Sequence, residues 1–284
     1  MLIDPLDPAA ALARYAPQFT ALQTNQGIEY LQAGRSDIPV THVMLHGIGS
    51  SAASWLAQLD AVSKRSAPPA HRLLAWNAPG YGNSSPVSPS EPVAADYAER
   101  LWQWLDLIGA MHPITLVGQS MGCLIAAAAA IQRPERVSRL ILFAPARGYA
   151  RASAQERERR RDERLAALRE HGPAGLAERR AQAMLSPNAP PELVSFVREI
   201  MRRVNPSGYT QATHMLSQGD LDSDLARWRK PLVVASGSAD AITPPDSCRE
   251  AARLAGVEWT DLGAVGHGCP LEAPGLANAI LGLE

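Results

Sequence analysis

Residues 114–130, ITLVGQSMGCLIAAAAA, leave this chain little freedom. Beta-branched Ile114, Thr115 and Val117 suit a buried strand, and the alanine-rich run from Cys123 to Ala130 suits a helix. The turn between them must therefore be tight. Glycine at 118 and 122 lets strand and helix pass without side-chain collision, and Ser120 at the tip is pushed into a strained conformation that exposes its hydroxyl. The following helix aims its first unpaired N–H groups at the same point, which favours negative charge there. Taken alone, such a turn more often carries an incidental serine than a nucleophile, so the rest of the chain has to supply the chemistry.

Strands and helices alternate around this junction. Met1 to Thr24, with Pro5, Pro8 and Pro17, reads as an N-terminal arm with a short helix at Ala9 to Tyr15. Gly27 to Ala33 reads as an edge strand closed by Gly34, and Val40 to Leu45 as a strand that runs into the Gly-rich His46 to Ser50. Trp55 to Lys64 reads as a helix capped by Ser54, Arg72 to Trp76 as a strand, and Val93 to Ile108 as an amphipathic helix. Val137 to Phe143 is a further strand. This order implies a largely parallel sheet with helices on both faces. From Ala146 to about Leu225 no strand pattern appears, and proline-cut helical segments rich in Arg and Glu take over. Strands at Leu232 to Ala235 and Val257 to Leu262, a helix at Asp246 to Leu254 and a final helix from Pro274 complete the chain. The expected division is a core of residues 1–145 and 226–284 with a helical cap of residues 146–225.

With 284 residues and 46% hydrophobic side chains, the chain can bury a substantial core. Its 27 basic and 28 acidic residues nearly cancel, which leaves no electrostatic footprint for nucleic acid. Cys123, Cys248 and Cys269 are too few and too scattered for a disulfide framework or a zinc-ligand pattern, although two could pair if the fold brought them together. Asp4 and Asp7 stand where a secretory signal would carry basic and apolar residues, and no apolar run approaches membrane-spanning length, so a cytoplasmic protein with no membrane partner is expected.

A serine hydroxyl is a weak nucleophile at neutral pH and needs a base, which in turn needs an acid to orient it. Of seven histidines, His267 is best placed, flanked by Gly266 and Gly268 in a loop after the last strand. His42 and His46 are four apart, but across a strand and a loop that spacing makes no metal face. Asp240 follows a buried strand within GSAD, whereas the end of the strand at Phe143 offers only Ala144 and Pro145. The order Ser120, Asp240, His267 lifts each of the three above an isolated residue.

Five features together, HGIGSS, NAPGYGNS, GQSMG, GSADAITP and GHGCPLEAP, resemble the alpha/beta-hydrolase family over nearly the whole chain. The resemblance implies Ser120 as nucleophile, His267 as general base and then acid, and Asp240 as the orienting carboxylate. It also implies an oxyanion hole from the backbone N–H groups of Ile48 and Met121, an acyl-enzyme, and no metal or organic cofactor. Serine at the elbow separates the chain from dehalogenase and epoxide-hydrolase relatives, which use Asp there. Asn77 departs from the family, which often has Asp at this position, and Cys123 stands where many members have a third glycine.

In pattern the chain is similar to small carboxylesterases and 3-oxoadipate enol-lactonases, which implies a compact ester or lactone substrate, often anionic. Gly49 and Arg147 are the expected substrate contacts, with Arg202 and Arg203 as weaker cationic candidates. Two alternatives stay open: a carbon–carbon bond hydrolase of aromatic ring-fission products, disfavoured by Gly268 where such relatives carry tryptophan, and a non-catalytic small-ligand binder on the same fold.

Overall fold

Eight strands form one sheet because the central segments are apolar on both faces. The computed structural model describes residues 10, 13–23, 26–63 and 70–284. The strands are β1 (Gln18–Gln23), β2 (Gln26–Gly34), β3 (His42–Leu45), β4 (Arg72–Trp76), β5 (Ile114–Gln119), β6 (Val137–Phe143), β7 (Leu232–Ser236) and β8 (Trp259–Asp261). Their order is β1-β2-β4-β3-β5-β6-β7-β8. β2 runs antiparallel to both β1 and β4, and all pairings from β4 to β8 are parallel.

Alternation along the strands sorts the core into two layers. Val43, Leu45, Leu116, Leu140 and Leu142 point into one layer, with Tyr97, Leu101 and Trp104 of helix α2 (Ala94–Leu107) and residues Met121 to Ala130 of helix α3 (Met121–Gln132). Met44, Val117, Ile141 and Phe143 point into the other, with Leu56 and Leu59 of α1 (Leu56–Ser63) and Ala277 and Leu281 of α10 (Pro274–Leu281). Each residue of α3 from Met121 to Ala130 is buried, and small side chains let the sheet and α2 close on it: Trp102 Nε1 of α2 donates to the Ala129 carbonyl at 3.1 Å.

Between β6 and β7 lie only helices: α4 (Ala154–Arg180), α5 (Pro191–Arg202), α6 (Pro206–Gln218) and α7 (Leu221–Leu225). Residues 185–186, 201, 208 and 209 of this insert pack on the loops that follow β3, β4 and β8. A carbon added to Gly208 would lie 2.0 Å from the Gly80 carbonyl oxygen, and one added to Gly266 would lie 2.3 Å from the Leu185 carbonyl carbon. After β7 come α8 (Pro245–Leu254) and α9 (Cys269–Glu272).

Several sequence expectations need correction. β1 was hidden in the supposed arm because it is exposed and polar, with Phe19 55% exposed, and its presence makes β2 an interior strand rather than the edge. The cap before α1 is Ser51, which accepts from the Ala53 N–H and opens a 3-10 turn over Ala52–Trp55, so Ser54 lies inside the turn. β8 is shorter than expected because Val257 is still engaged in the turn that ends α8, donating to the Ala252 carbonyl. The helix expected over Ala9 to Tyr15 does not reach its end, since residues 13–15 form a turn and a bend; residues 9, 11 and 12 lie outside the described residues, as does Lys64. Among the described residues no helix is long and apolar enough to cross a membrane.

Candidate active site

The turn between β5 and α3 holds Ser120 at φ 53°, ψ −117°, a conformation a non-glycine residue adopts only under constraint. The constraint is visible in the packing. A carbon on Gly118 would sit 2.6 Å from the Gly122 carbonyl oxygen, and one on Gly122 would sit 2.2 Å from that of Leu45, so side chains at either position would force strand and helix apart. Hydrogen bonds fix the tip: Ser120 N–H donates to the Phe143 carbonyl at 3.0 Å, and the Ser120 carbonyl accepts from Cys123 and Ala146.

The loop after β3 lies directly against this turn. A carbon on Gly47 would meet Gln119 Oε1 at 2.6 Å and Ser120 Cβ at 3.0 Å. His46 anchors the loop from beneath. Its Nδ1 donates to the Gly47 carbonyl at 2.8 Å and its Nε2 accepts from Ala78 N–H at 3.0 Å, which defines a neutral ring. Complete burial favours the same state and pushes the ring's pKa down to about 4. Asn77 holds the far end, accepting from Ala52 N–H at 2.8 Å and donating to the buried carboxylate of Glu29. Met121 opens α3, so its N–H is among the donors a helix leaves without an internal partner.

His267 and Asp240 come together from loops after β8 and β7. Nδ1 of His267 donates to Asp240 Oδ2 at 2.9 Å, and both residues are nearly fully buried. The other carboxylate oxygen accepts from the N–H groups of Ile242 and Thr243, and Thr243 Oγ1 lies 2.7 Å from Oδ2 and 3.1 Å from His267 Nδ1. Burial works to raise the Asp240 pKa. The hydrogen bond and charge of His267, with the bonds from Thr243, outweigh it and hold the carboxyl below its ordinary value. With Nδ1 committed to Asp240, the ring keeps Nε2 as its free nitrogen.

A cleft enclosing about 550 Å³ of empty space opens beside these groups. Gly47, Ile48, Gly49, Gln119 and His267 form its polar side. Trp55, Pro270 and Leu271 from the sheet side and Met184, Val197, Ile200 and Met201 from the insert form an apolar side. The arrangement offers a strained hydroxyl at the elbow, an oriented imidazole in the cleft wall and backbone donors in one region, which is equipment for acyl transfer.

Residues 43–274 match the family model described as the alpha/beta hydrolase fold. The chain belongs to the alpha/beta-hydrolase family. Among curated relatives of this hydrolase is the (E)-2-((N-methylformamido)methylene)succinate hydrolase of Acinetobacter baylyi, 27% identical over 202 residues that cover 70% of each chain. Another is the pimeloyl-[acyl-carrier protein] methyl ester esterase of Photobacterium profundum, 27% identical over 73% of this chain and 84% of the relative. Among solved structures, the enol-lactonase of Burkholderia xenovorans superposes with a TM-score of 0.78 over 94% of this chain and 99% of the other, at 20% identity.

The arginines expected to reach the hydrolase's substrate are engaged elsewhere. Arg147 is absent from the cleft lining because Asp222 takes its guanidinium in a two-pronged contact, Nε to Oδ1 at 2.8 Å and Nη2 to Oδ2 at 2.5 Å. Arg202 and Arg203 pair with Glu199 on the exposed face of α5. Gly49 does line the cleft, at φ 72°. Cys123, Cys248 and Cys269 remain free buried thiols, and burial pushes all three pKa values up, that of Cys248 to about 11.

Three supporting residues escaped the sequence reading. Thr243 buttresses Asp240, Gln119 Nε2 donates to the His267 carbonyl at 3.0 Å, and Glu272 accepts from Gly266 N–H at 2.7 Å and from Ser186 Oγ at 2.7 Å. Thr243 sits three residues from Asp240 and a turn-capping pattern would have found it. Gln119 reaches His267 and Glu272 reaches Ser186 across 148 and 86 residues, and local pattern carries no trace of those two contacts.

Proposed function

We propose that this alpha/beta hydrolase cleaves a small carboxylic ester or lactone through an acyl-enzyme formed on Ser120. The observation that carries it is the buried 2.9 Å contact of Asp240 with Nδ1 of His267, a residue that lines the cleft. It orients the imidazole so that its free Nε2 can accept the Ser120 proton as the hydroxyl attacks the carbonyl carbon, and return that proton to the leaving oxygen. Ile48 and Met121 N–H groups hold the tetrahedral oxyanion. Water then attacks the acyl-enzyme by the same proton path, releasing the acid. Residues 146–225 serve as the cap, since Met184, Val197, Ile200 and Met201 give the cleft its apolar wall, suited to a short acyl or alkyl group. The relative named as a methyl ester esterase supports ester chemistry over the carbon–carbon alternative.

A fluorophosphonate probe tests the nucleophile. It should label the wild type and leave Ser120→Ala, verified as folded, unlabelled, with esterase turnover in that variant down by on the order of 10⁴-fold or more. Folded wild type that takes no label, or Ser120→Ala that still does, would overturn the assignment. Short-chain nitrophenyl esters, enol-lactones and a dienone ring-fission product assayed side by side then fix the bond, and turnover confined to the dienone would replace ester or lactone cleavage with carbon–carbon cleavage.

A further inference from the structure

A second pocket, open to solvent and with about 750 Å³ of empty space at its mouth and floor together, is formed by the insert, and its lining is cationic. Arg159, Arg160 and Arg164 reach it from the first half of α4, and Arg180 from the second half, with Glu163 the one carboxylate among the lining residues. Arg160 and Arg164 share a helix face at a spacing of four. Arg180 is brought to them because Gly172, at φ 60° and ψ 178°, breaks α4 and turns the chain back.

Two of the four guanidiniums are already satisfied. Arg159 pairs with Glu156 and Glu163, while Arg160 pairs with Glu156 and lies over the Tyr149 ring, 4.9 Å from its centre. Arg164 and Arg180 are half-buried, and among the described residues neither has a hydrogen-bond or ion-pair partner. Guanidiniums drawn part way out of water repel one another, and among the described residues no carboxylate pairs with either of these two. A ligand would.

The cavity also adjoins the proposed active site. Tyr209 lines it and separates it from the oxyanion loop, since a carbon on Gly49 would lie 3.6 Å from Tyr209 Cε2. Tyr81 packs against His46, with ring centres 4.9 Å apart.

We infer that this cavity is a binding site for a small carboxylate- or phosphate-bearing anion, gripped between the guanidiniums of Arg164 and Arg180. Each guanidinium offers a planar fork of donors matched to such oxygens. The anion has two possible sources with the same chemistry: the distal end of a molecule whose other end lies in the cleft, or a free anion bound on its own.

Isothermal titration calorimetry with succinate and with inorganic phosphate, at low ionic strength, tests the site. Wild type and Arg169→Gln, an exposed position outside the lining, should bind one of the two probes with equal affinity. Arg164→Gln/Arg180→Gln should bind at least about tenfold more weakly, the loss expected for removing charge-assisted hydrogen bonds. Arg180→Gln alone, with its circular dichroism spectrum checked, stands in if the double variant does not fold. No binding by wild type at 10-millimolar-order probe, or unchanged affinity in the folded variants, overturns the site.

Hydrolysis of two aryl esters of equal length, one ending in a carboxylate and one in a carboxamide, then separates the sources. A rise in KM for the carboxylate ester alone in the variants assigns the cavity to the substrate's own end. Equal behaviour of the two esters, with added succinate altering wild-type turnover, assigns it to a free anion. Because calorimetry needs no turnover, a failure of both esters to react would count against the proposed esterase function and leave the binding result standing.

Discussion

Ser120 is held where it is by what its neighbours lack. Gly122 faces the backbone of the β3 end: an added carbon would lie 2.2 Å from the Leu45 carbonyl oxygen, 2.7 Å from its carbon and 2.9 Å from the His46 oxygen. Backbone on a central strand cannot move aside as a flexible side chain can. Gly122→Ala should therefore cost roughly 3 kcal/mol and lower the melting temperature by about 6–12 °C, whereas Gly275→Ala, with nothing within 4 Å, should leave it within about a degree or two. Thermal unfolding of both variants checks this, and equal melting temperatures would refute it. At this scale the sequence was legible wherever the geometry is local. The tight turn, its two glycines and Ser120 are contiguous, and Asp240 and His267 each lie in a loop directly after a strand. Arg147 was misjudged because its nearness in sequence to the end of β6 says nothing about Asp222, 75 residues on, which claims it.

Among the elements, those with a one-sided or fully apolar pattern were legible and those without were not. Arg72–Trp76 and Val137–Phe143 coincide with the observed strands, and α2 shows its stripe plainly, with Tyr97, Leu101, Trp104 and Leu105 all buried. β1 carries no such stripe, because its side chains are mostly exposed and only its ladder to β2 holds it. In the insert, prolines were expected to cut the helices, and beside Pro173 the chain does break, one residue earlier. Gly172 takes the unusual backbone angles and Pro173 starts the second half of α4, a position that needs no N–H. Space around Gly172 is empty, so Gly172→Ala isolates the backbone effect: it should cost about 2 kcal/mol through the disfavoured angles alone. Urea unfolding measures this, and an unchanged midpoint would mean that α4 adapts without strain.

For the whole molecule, acid is the natural weakness. His42, at the start of β3, and His46, in the loop after it, are both buried, and burial lowers both pKa values to about 4 from an ordinary 6.5. Between those values the unfolded chain takes up protons that the folded chain refuses, so stability falls as pH drops from about 6.5 towards 4, by on the order of 3 kcal/mol per histidine at the lower end. Asp240, whose carboxyl is held low, adds its own loss only at still lower pH, as its folded pKa is crossed. Melting temperature measured from pH 7 to 4 should decline throughout that window. His42→Gln, which can keep the bond to the Leu281 carbonyl, should show a shallower decline, and a pH-independent melting temperature would contradict the assignment. The Glu272 carboxylate has a consequence at this scale too. It grips the backbone beside His267 with one oxygen and Ser186 of the insert with the other, while Gly268 N–H holds the Met184 carbonyl at 2.7 Å. Through these bonds the insert and the loop that carries His267 are tied into one hydrogen-bonded unit, so a substitution at Glu272 loosens both at once.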